Sequence, residues 1–354
     1  MESGCLFRSK SKRSKQEYMD TFRKIIAGIC AVLFVVSSVI ALFAFNIERK
    51  AFNSATYQQA FEKQNLYARM PEILANALHA SIAANANADP YLKPLTVAEW
   101  QAAITSLLPP EEIKVLTDDA LNSVFNYLNG NADSAVISLL PLKQQFAGPA
   151  GTEIVKQILR AQPDCTAQQL LQLGLGLLSG DIGLCKPPEE LMGLINPLIE
   201  SQLQVMTLTI PDQVTLISAS QTNPTADPRI NLDRVRALMK VSPFFPLFFL
   251  FGISAFAIRS LVGWLKWWGY PFLITGAFSA LTAWLGAPVF GLLVQRILQN
   301  QVAGFVPPIL FATMRETVSG VTSQILEPVM IEGLVLAVMG LLMVLIVIFI
   351  PKRK

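Results

Sequence analysis

Apolar residues gather in four long runs, and between them the chain changes to short amphipathic stretches punctuated by proline and glycine. The first run, Ile25 to Phe45, has 21 residues and no charge. The second opens at Pro243 with PFFPLFFLFGISAFAI and continues past Arg259 through SLVGWL. The third runs from Tyr270 to Val294 and the fourth from Gly333 to Ile350. A helix of about 20 residues crosses a hydrocarbon core of about 30 Å. The pattern therefore predicts transmembrane helices at 25–46, 243–264, 270–294 and 333–350. The competing reading, buried helices of a soluble protein, does not suit three uncharged runs of 18 to 25 residues.

Composition sharpens this. Hydrophobic residues make up 52% of the 354 residues, charged residues 15%, and mean hydropathy is +0.45. Soluble domains carry roughly 25% charged residues. The first run is longer than the apolar core of a secretory signal, about 7–15 residues. It also ends in FNIERKAF, bulky where a cleavage site needs small residues, so an uncleaved anchor is expected.

Charge then sets the orientation, because cytoplasmic loops collect Lys and Arg. The tail 1–24 carries seven basic residues, among them Arg23 and Lys24. Arg259 and Lys266 follow the second run, and Lys352, Arg353 and Lys354 end the chain at 351–354. With three acids, that side sums to +9. The long segment 47–242 sums to −5 and the short one 295–332 to −1. The expectation is a multi-pass protein of the cell membrane with both termini cytoplasmic. Both inter-span segments then lie outside. Trp264, Lys266, Trp267 and Trp268 would form an aromatic and basic anchor at the inner interface.

On that topology Cys165 and Cys185 fall in an oxidising compartment, where disulfides persist. Nineteen residues lie between them. Closing such a loop stabilises by about 3 kcal/mol in the chain-entropy model. Free buried thiols and a zinc site are the alternatives; zinc needs about four ligands, and His79 is the chain's one histidine. Cys30 lies inside the first run and Cys5 in the basic tail.

The segment 47–242 reads as mainly helical. Tyr57, Phe61, Tyr67, Met70, Leu74 and Leu78 recur at helical spacing, with Pro71 as the expected kink. Thr96 and Glu99 have capping-box spacing. Pro110-Glu111-Glu112 and Pro188-Glu189-Glu190 each open a helix with acids in its first turn, and Gly130 is a terminator. Thr166 to Leu178 reads as a helix inside the cysteine loop, where Gly174, Gly176, Gly180 and Gly183 give weak intrinsic helicity that the cysteine pair would staple. Ile210 to Ser220 alternates enough for a short strand, within one small hairpin. The fold class expected is mostly α: four membrane helices and a large, mainly helical extracytoplasmic domain. In 295–332, Pro307-Pro308 precedes an amphipathic helix, Ile309 to Ile325. It either lies on the outer leaflet or packs on the large domain; its polar face lacks the Lys/Arg richness of interfacial helices, which favours packing.

No catalytic signature accompanies this architecture. His79 sits in a helical NALHAS with no G-x-S-x-G. The carboxylate pairs suit helix dipoles, and no phosphate-loop sequence occurs. The expectation is a non-enzyme without metal or cofactor. Spans 1, 3 and 4 lack central charges, which disfavours ion-coupled transport. The basic tail suits anionic lipid rather than nucleic acid. Gly276, Ala280, Ala283 and Ala287 form a small-residue stripe on the third span, a face for close helix approach or self-association.

The stretches NIERKAF…YARMPEIL, LLPPEEIK…NYLNG, ISLLPLK and PDCT…CKPP resemble a group of bacterial four-span membrane proteins of unknown function. That resemblance covers 46 to about 190 and supplies no site residues. The layout alone is similar to permease subunits of the MacB/FtsX type, which implies a transmitter partnered by a cytoplasmic ATPase. Three roles stand as expectations. The foremost is interaction, sensing or structural support through the outer domain, with the bilayer and another membrane or extracytoplasmic protein as partners. The others are the FtsX-like transmitter and a channel or transporter.

Overall fold

The computed structural model of the chain describes residues 3–167, 169–170, 185–218, 228–301 and 308–349. It is mostly helical, and four of its helices are long and apolar enough to cross a membrane. In chain order the elements are α1 (Ser3–Ala51), α2 (Ser54–Lys63), α3 (Leu66–Ala84), α4 (Val97–Leu107), α5 (Pro110–Leu128) and β1 (Ser134–Ser138). Then come α6 (Leu140–Ala147), α7 (Pro149–Arg160), α8 (Glu189–Leu208) and β2 (Gln213–Ser218). The chain closes with α9 (Pro228–Val241), α10 (Phe244–Ala257), α11 (Leu261–Gln301) and α12 (Pro308–Phe349). Contacts divide them into two compact units, 1–53 with 225–289 and 322–354, and 54–224 with 290–321.

The first unit contains the apolar cores of α1, α10, α11 and α12. Phe34, Ile253 and Phe272 form its buried centre, with Trp267, Trp268, Leu336 and Met343 packed around them. Its outer faces stay apolar: Phe248, Phe251 and Ile348 are about 70% exposed (72%, 75% and 69%). Exposed apolar faces of that extent mark a surface for a membrane or for another protein.

Glycines bring α11 and α12 together. A Cβ on Gly276 would lie 2.5 Å from the Gly333 carbonyl oxygen, and one on Gly340 would lie 2.8 Å from that of Gly269. A Cβ on Gly333 would meet the Ala280 nitrogen at 2.8 Å. The backbones touch because these positions lack side chains. The small-residue stripe at Gly276 and Ala280 therefore meets α12 of the same chain.

The division between the second and third spans differs from expectation. The expected second span was 243–264, but α10 ends at Ala257 and α11 begins at Leu261. Ser260 explains the placement: its Oγ accepts from the Gly263 N–H at 3.1 Å, and its carbonyl accepts from Trp264. This is a helix N-cap. SLVGWL thus opens the third helix instead of ending the second. The second candidate span instead starts earlier and runs Arg229–Ala257, taking in α9. Alone, the 14 residues of α10 would reach only about 21 Å.

The second unit packs short helices on one another, with Leu159, Met192, Ile199 and Leu203 as a buried cluster, and carries a two-stranded sheet whose β1 packs on α5. The capping box is formed, with Glu99 N–H donating to Thr96 Oγ1 and Thr96 N–H to Glu99 Oε2 at 2.7 Å. Gly130 has φ +74° and ends α5 as expected. The helix expected to break or kink at Pro71 does not break there. Pro71 is accommodated within α3, and the break is at Asn65, whose φ of 50° is the left-handed region that Asn tolerates. β2 pairs antiparallel with β1, from Ser134 opposite Ser218 to Ser138 opposite Gln213, with a bulge at Ala135/Val136. The expected hairpin is thus a pairing of strands distant in sequence. Thr166 caps Gln169 at the start of the helix expected inside the cysteine loop, and the rest of that helix lies outside the described residues.

The segment 290–321 belongs to this unit. Arg69 Nη1 meets Glu316 Oε2 at 2.8 Å, and Gly320 faces the side chain of Gln64. Of the two expected arrangements for the amphipathic stretch, packing on the large domain is the one present. The stretch is not a separate helix, because α12 is continuous from Pro308 to Phe349.

Candidate functional site

Three places gather polar chemistry or exposed apolar surface. The first is in the unit with the spans. Asn46 is 2% exposed, and its Nδ2 donates to Leu42 O at 2.9 Å and to Glu332 Oε2 at 2.8 Å. Two residues along α1, Glu48 is also buried; its Oε1 takes Arg236 Nη2 at 3.2 Å and Lys240 Nζ at 3.4 Å. The Arg236 guanidinium lies 4.6 Å from the centre of the Phe52 ring. Beside this network opens a cavity of about 400 Å³. Phe34, Leu42, Phe45, Leu247, Leu250 and Leu336 supply most of its wall, and Glu332 is the one charged lining residue. Sequence reading missed this site. Glu332 and Glu48 each sit at the edge of an apolar run and look like ordinary interface charges there.

The second place is the ionic cluster of α2, α3 and α5. Tyr67 OH donates to Asp118 Oδ1 at 2.8 Å, and the Lys114 ammonium pairs with Glu62 while lying 6.0 Å from the Tyr67 ring centre. Burial, then the bond to Asp118 and the charges of Asp118 and Glu62, push the Tyr67 hydroxyl well above the usual phenol range. Lys114 is raised chiefly by its hydrogen bond to Glu62. A phenol held neutral and a lysine held charged make this a pin between helices. Neither is poised as an acid or base near neutral pH.

The third place is the end of α8 and β2. Val205, Met206 and Leu208 are exposed, Leu208 at 81%. All six residues of β2 are exposed, including Val214, Leu216 and Ile217. Lys143 fixes the turn between them, donating to Ile210 O at 2.9 Å and Asp212 Oδ1 at 2.5 Å. On the other side of the sheet β1 is covered: Ala135 is fully buried, and the Val136 N–H donates to Ser123 Oγ of α5 at 2.7 Å. Among the described residues β2 has no second strand partner.

No family profile matches the chain, and no curated protein or solved structure is similar to it.

The sequence-derived site residues fall as follows. Cys165 and Cys185 form a disulfide with Cα atoms 5.0 Å apart. Two backbone bonds flank it, Cys165 N–H to Lys186 O at 3.0 Å and Lys186 N–H to Pro163 O at 2.9 Å. Arg23 and Lys24 are exposed on α1. Trp264, Lys266, Trp267 and Trp268 lie in the first two turns of α11. Trp268 turns inward, its Nε1 donating to Ser254 Oγ at 3.3 Å, while Lys266 is exposed. Lys352, Arg353 and Lys354 lie outside the described residues. His79 is half-buried on α3. Among the described residues no three His, Cys, Asp or Glu side chains stand close enough to share a metal ion.

Proposed function

We propose that this chain is a non-catalytic, four-span protein of the cell membrane whose unit 54–224 with 290–321 is extracytoplasmic and holds a partner protein there. The observation that carries the partner reading is the bare, apolar β2 beside Leu208. Among the described residues β2 has one unpaired edge, and a strand with such an edge and an apolar face accepts a further strand or an apolar segment. The orientation rests on the basic residues of the tail, on Arg259 between α10 and α11, and on Lys266 in the first turns of α11. The disulfide supports it, because such bonds last outside the reducing cytoplasm.

The transmitter alternative needs a separate coupling helix between the second and third spans. Three residues, 258–260, join α10 to α11, which favours the interaction role.

The test is cross-linking in native membranes followed by capture of the full-length chain. Leu208→Asp with Leu216→Asp should lose a partner that the parent chain and a Glu200→Gln control retain. Identical captured sets from all three chains would refute a partner at β2.

A further inference from the structure

We propose that the cavity at Glu332 is a site for one phospholipid with a primary-amine headgroup, of the phosphatidylethanolamine class. The inference rests on these helices lying in a bilayer and not on their orientation in it.

The cavity has the two parts such a lipid needs. Its wall is aliphatic and aromatic side chains, and about 400 Å³ is room for a length of hydrocarbon chain. Its one charge is the Glu332 carboxylate. Asn46 occupies Oε2 of that carboxylate, and among the described residues Oε1 has no hydrogen-bond partner. A carboxylate oxygen open to an apolar cavity takes an ammonium N–H in a charge-assisted bond, stronger than a neutral one. A trimethylammonium head offers no N–H, and a glycerol head offers no positive charge.

The phosphate has a counterpart as well. Glu48 faces two cations, Arg236 at 3.2 Å and Lys240 at 3.4 Å. Glu48 follows the lining residue Phe45 by three positions, and Lys240 precedes the lining residue Pro243 by three. The cations therefore sit about one helical turn beyond the wall of the cavity. Lys240 is the cation with reach, its side chain 60% exposed. One anionic and one cationic locus beside a single apolar cavity match a zwitterion whose amine carries protons. An ammonium or a phosphate alone would leave one locus unanswered.

The experiment is native mass spectrometry of the full-length chain, delipidated in detergent and titrated with phosphatidylethanolamine, phosphatidylcholine and phosphatidylglycerol of identical acyl chains. The ethanolamine lipid should saturate one site first. Glu332→Gln should weaken that lipid at least ~10-fold, the effect of losing one charge-assisted bond, and leave phosphatidylglycerol unchanged. Leu247→Trp, which fills the cavity, should reduce bound ethanolamine lipid without touching any charge, and it keeps the test open should Glu332→Gln fail to fold. Equal saturation by all three lipids would overturn the headgroup claim and leave an acyl-chain groove. Undiminished ethanolamine-lipid binding by Leu247→Trp would overturn the location. If the chain stays membrane-bound yet retains no lipid, this proposal fails and the four-span reading stands.

Discussion

Asn46 on the first span and Glu332 on the last are 286 positions apart in sequence and share a hydrogen bond of 2.8 Å. The bond ties the two ends of the chain's apolar architecture together beside the cavity. An apolar surrounding offers no water to replace a lost partner, so the bond holds Asn46 Nδ2 and one oxygen of the carboxylate satisfied. Asn46→Leu leaves the carboxylate without its donor and should cost about 1–3 kcal/mol. Thermal unfolding in detergent, run as a double-mutant cycle with Glu332→Gln, should show the two substitutions to be non-additive. Additive losses would mean that the bond contributes nothing.

The close approach of α11 and α12 gives a sharper steric prediction. Gly276→Leu drives a side chain into the Gly333 carbonyl and the backbone of Ala337. It should lower the thermal midpoint markedly or abolish monodisperse protein. Gly28→Ala, where nothing lies within 4 Å, should be silent. Equal effects of the two would contradict the packing.

Thr275 and Ser279 are fully buried, and their hydroxyls have no hydrogen-bond partner among the described residues. An unsatisfied buried hydroxyl costs roughly 1–3 kcal/mol. Thr275→Val keeps the shape and removes the penalty, so the thermal midpoint should hold or rise. A clear drop would reveal a partner for that hydroxyl.

Tyr67 links stability to pH. Its hydroxyl titrates higher in the folded chain than in the unfolded one, first because it is buried and next because it bonds to Asp118. The folded state therefore holds the proton more tightly. The resulting stabilisation is complete below pH ~10, the unfolded value, and is lost as pH rises through the raised folded value. Tyr57 is raised by burial as well, so alkaline denaturation monitored by tyrosinate absorbance should show a late component that appears with unfolding. Tyr67→Phe should reduce that late component by one tyrosine. A Tyr67 that titrates with the exposed tyrosines would contradict the assignment.

Much of this was readable along the chain, and the parts that were not share a cause. The four spans are apolar runs, and a bilayer selects on that property alone. The Thr96–Glu99 box and the Gly130 terminator are local motifs whose partners lie within one helical turn. The cysteine pair followed from compartment and count. What escaped was set by distant contacts. β1 is only five residues, too short a run to mark a strand by itself, and its partner β2 is distant in sequence. Ser260 looks like a residue inside a long apolar run until its hydroxyl caps α11. Asn65, whose left-handed φ separates α2 from α3, carries the break expected of Pro71, and α3 runs on through Pro71 without the backbone bond that its nitrogen cannot make. Glu332, the centre of the proposed lipid site, looked like a loop charge because Asn46 and the cavity are contributed by other helices.

The central claim is that the unit 54–224 lies outside the cytoplasm while the amino terminus lies inside. Its most direct test is labelling of intact cells with a membrane-impermeant maleimide, using Asp89→Cys in an exposed loop and the natural Cys5 of the tail, both with Cys30→Ala. The disulfide keeps Cys165 and Cys185 unreactive. The account predicts that position 89 is labelled in intact cells and Cys5 only after permeabilisation. Labelling of Cys5 in intact cells, with position 89 protected until lysis, would contradict it.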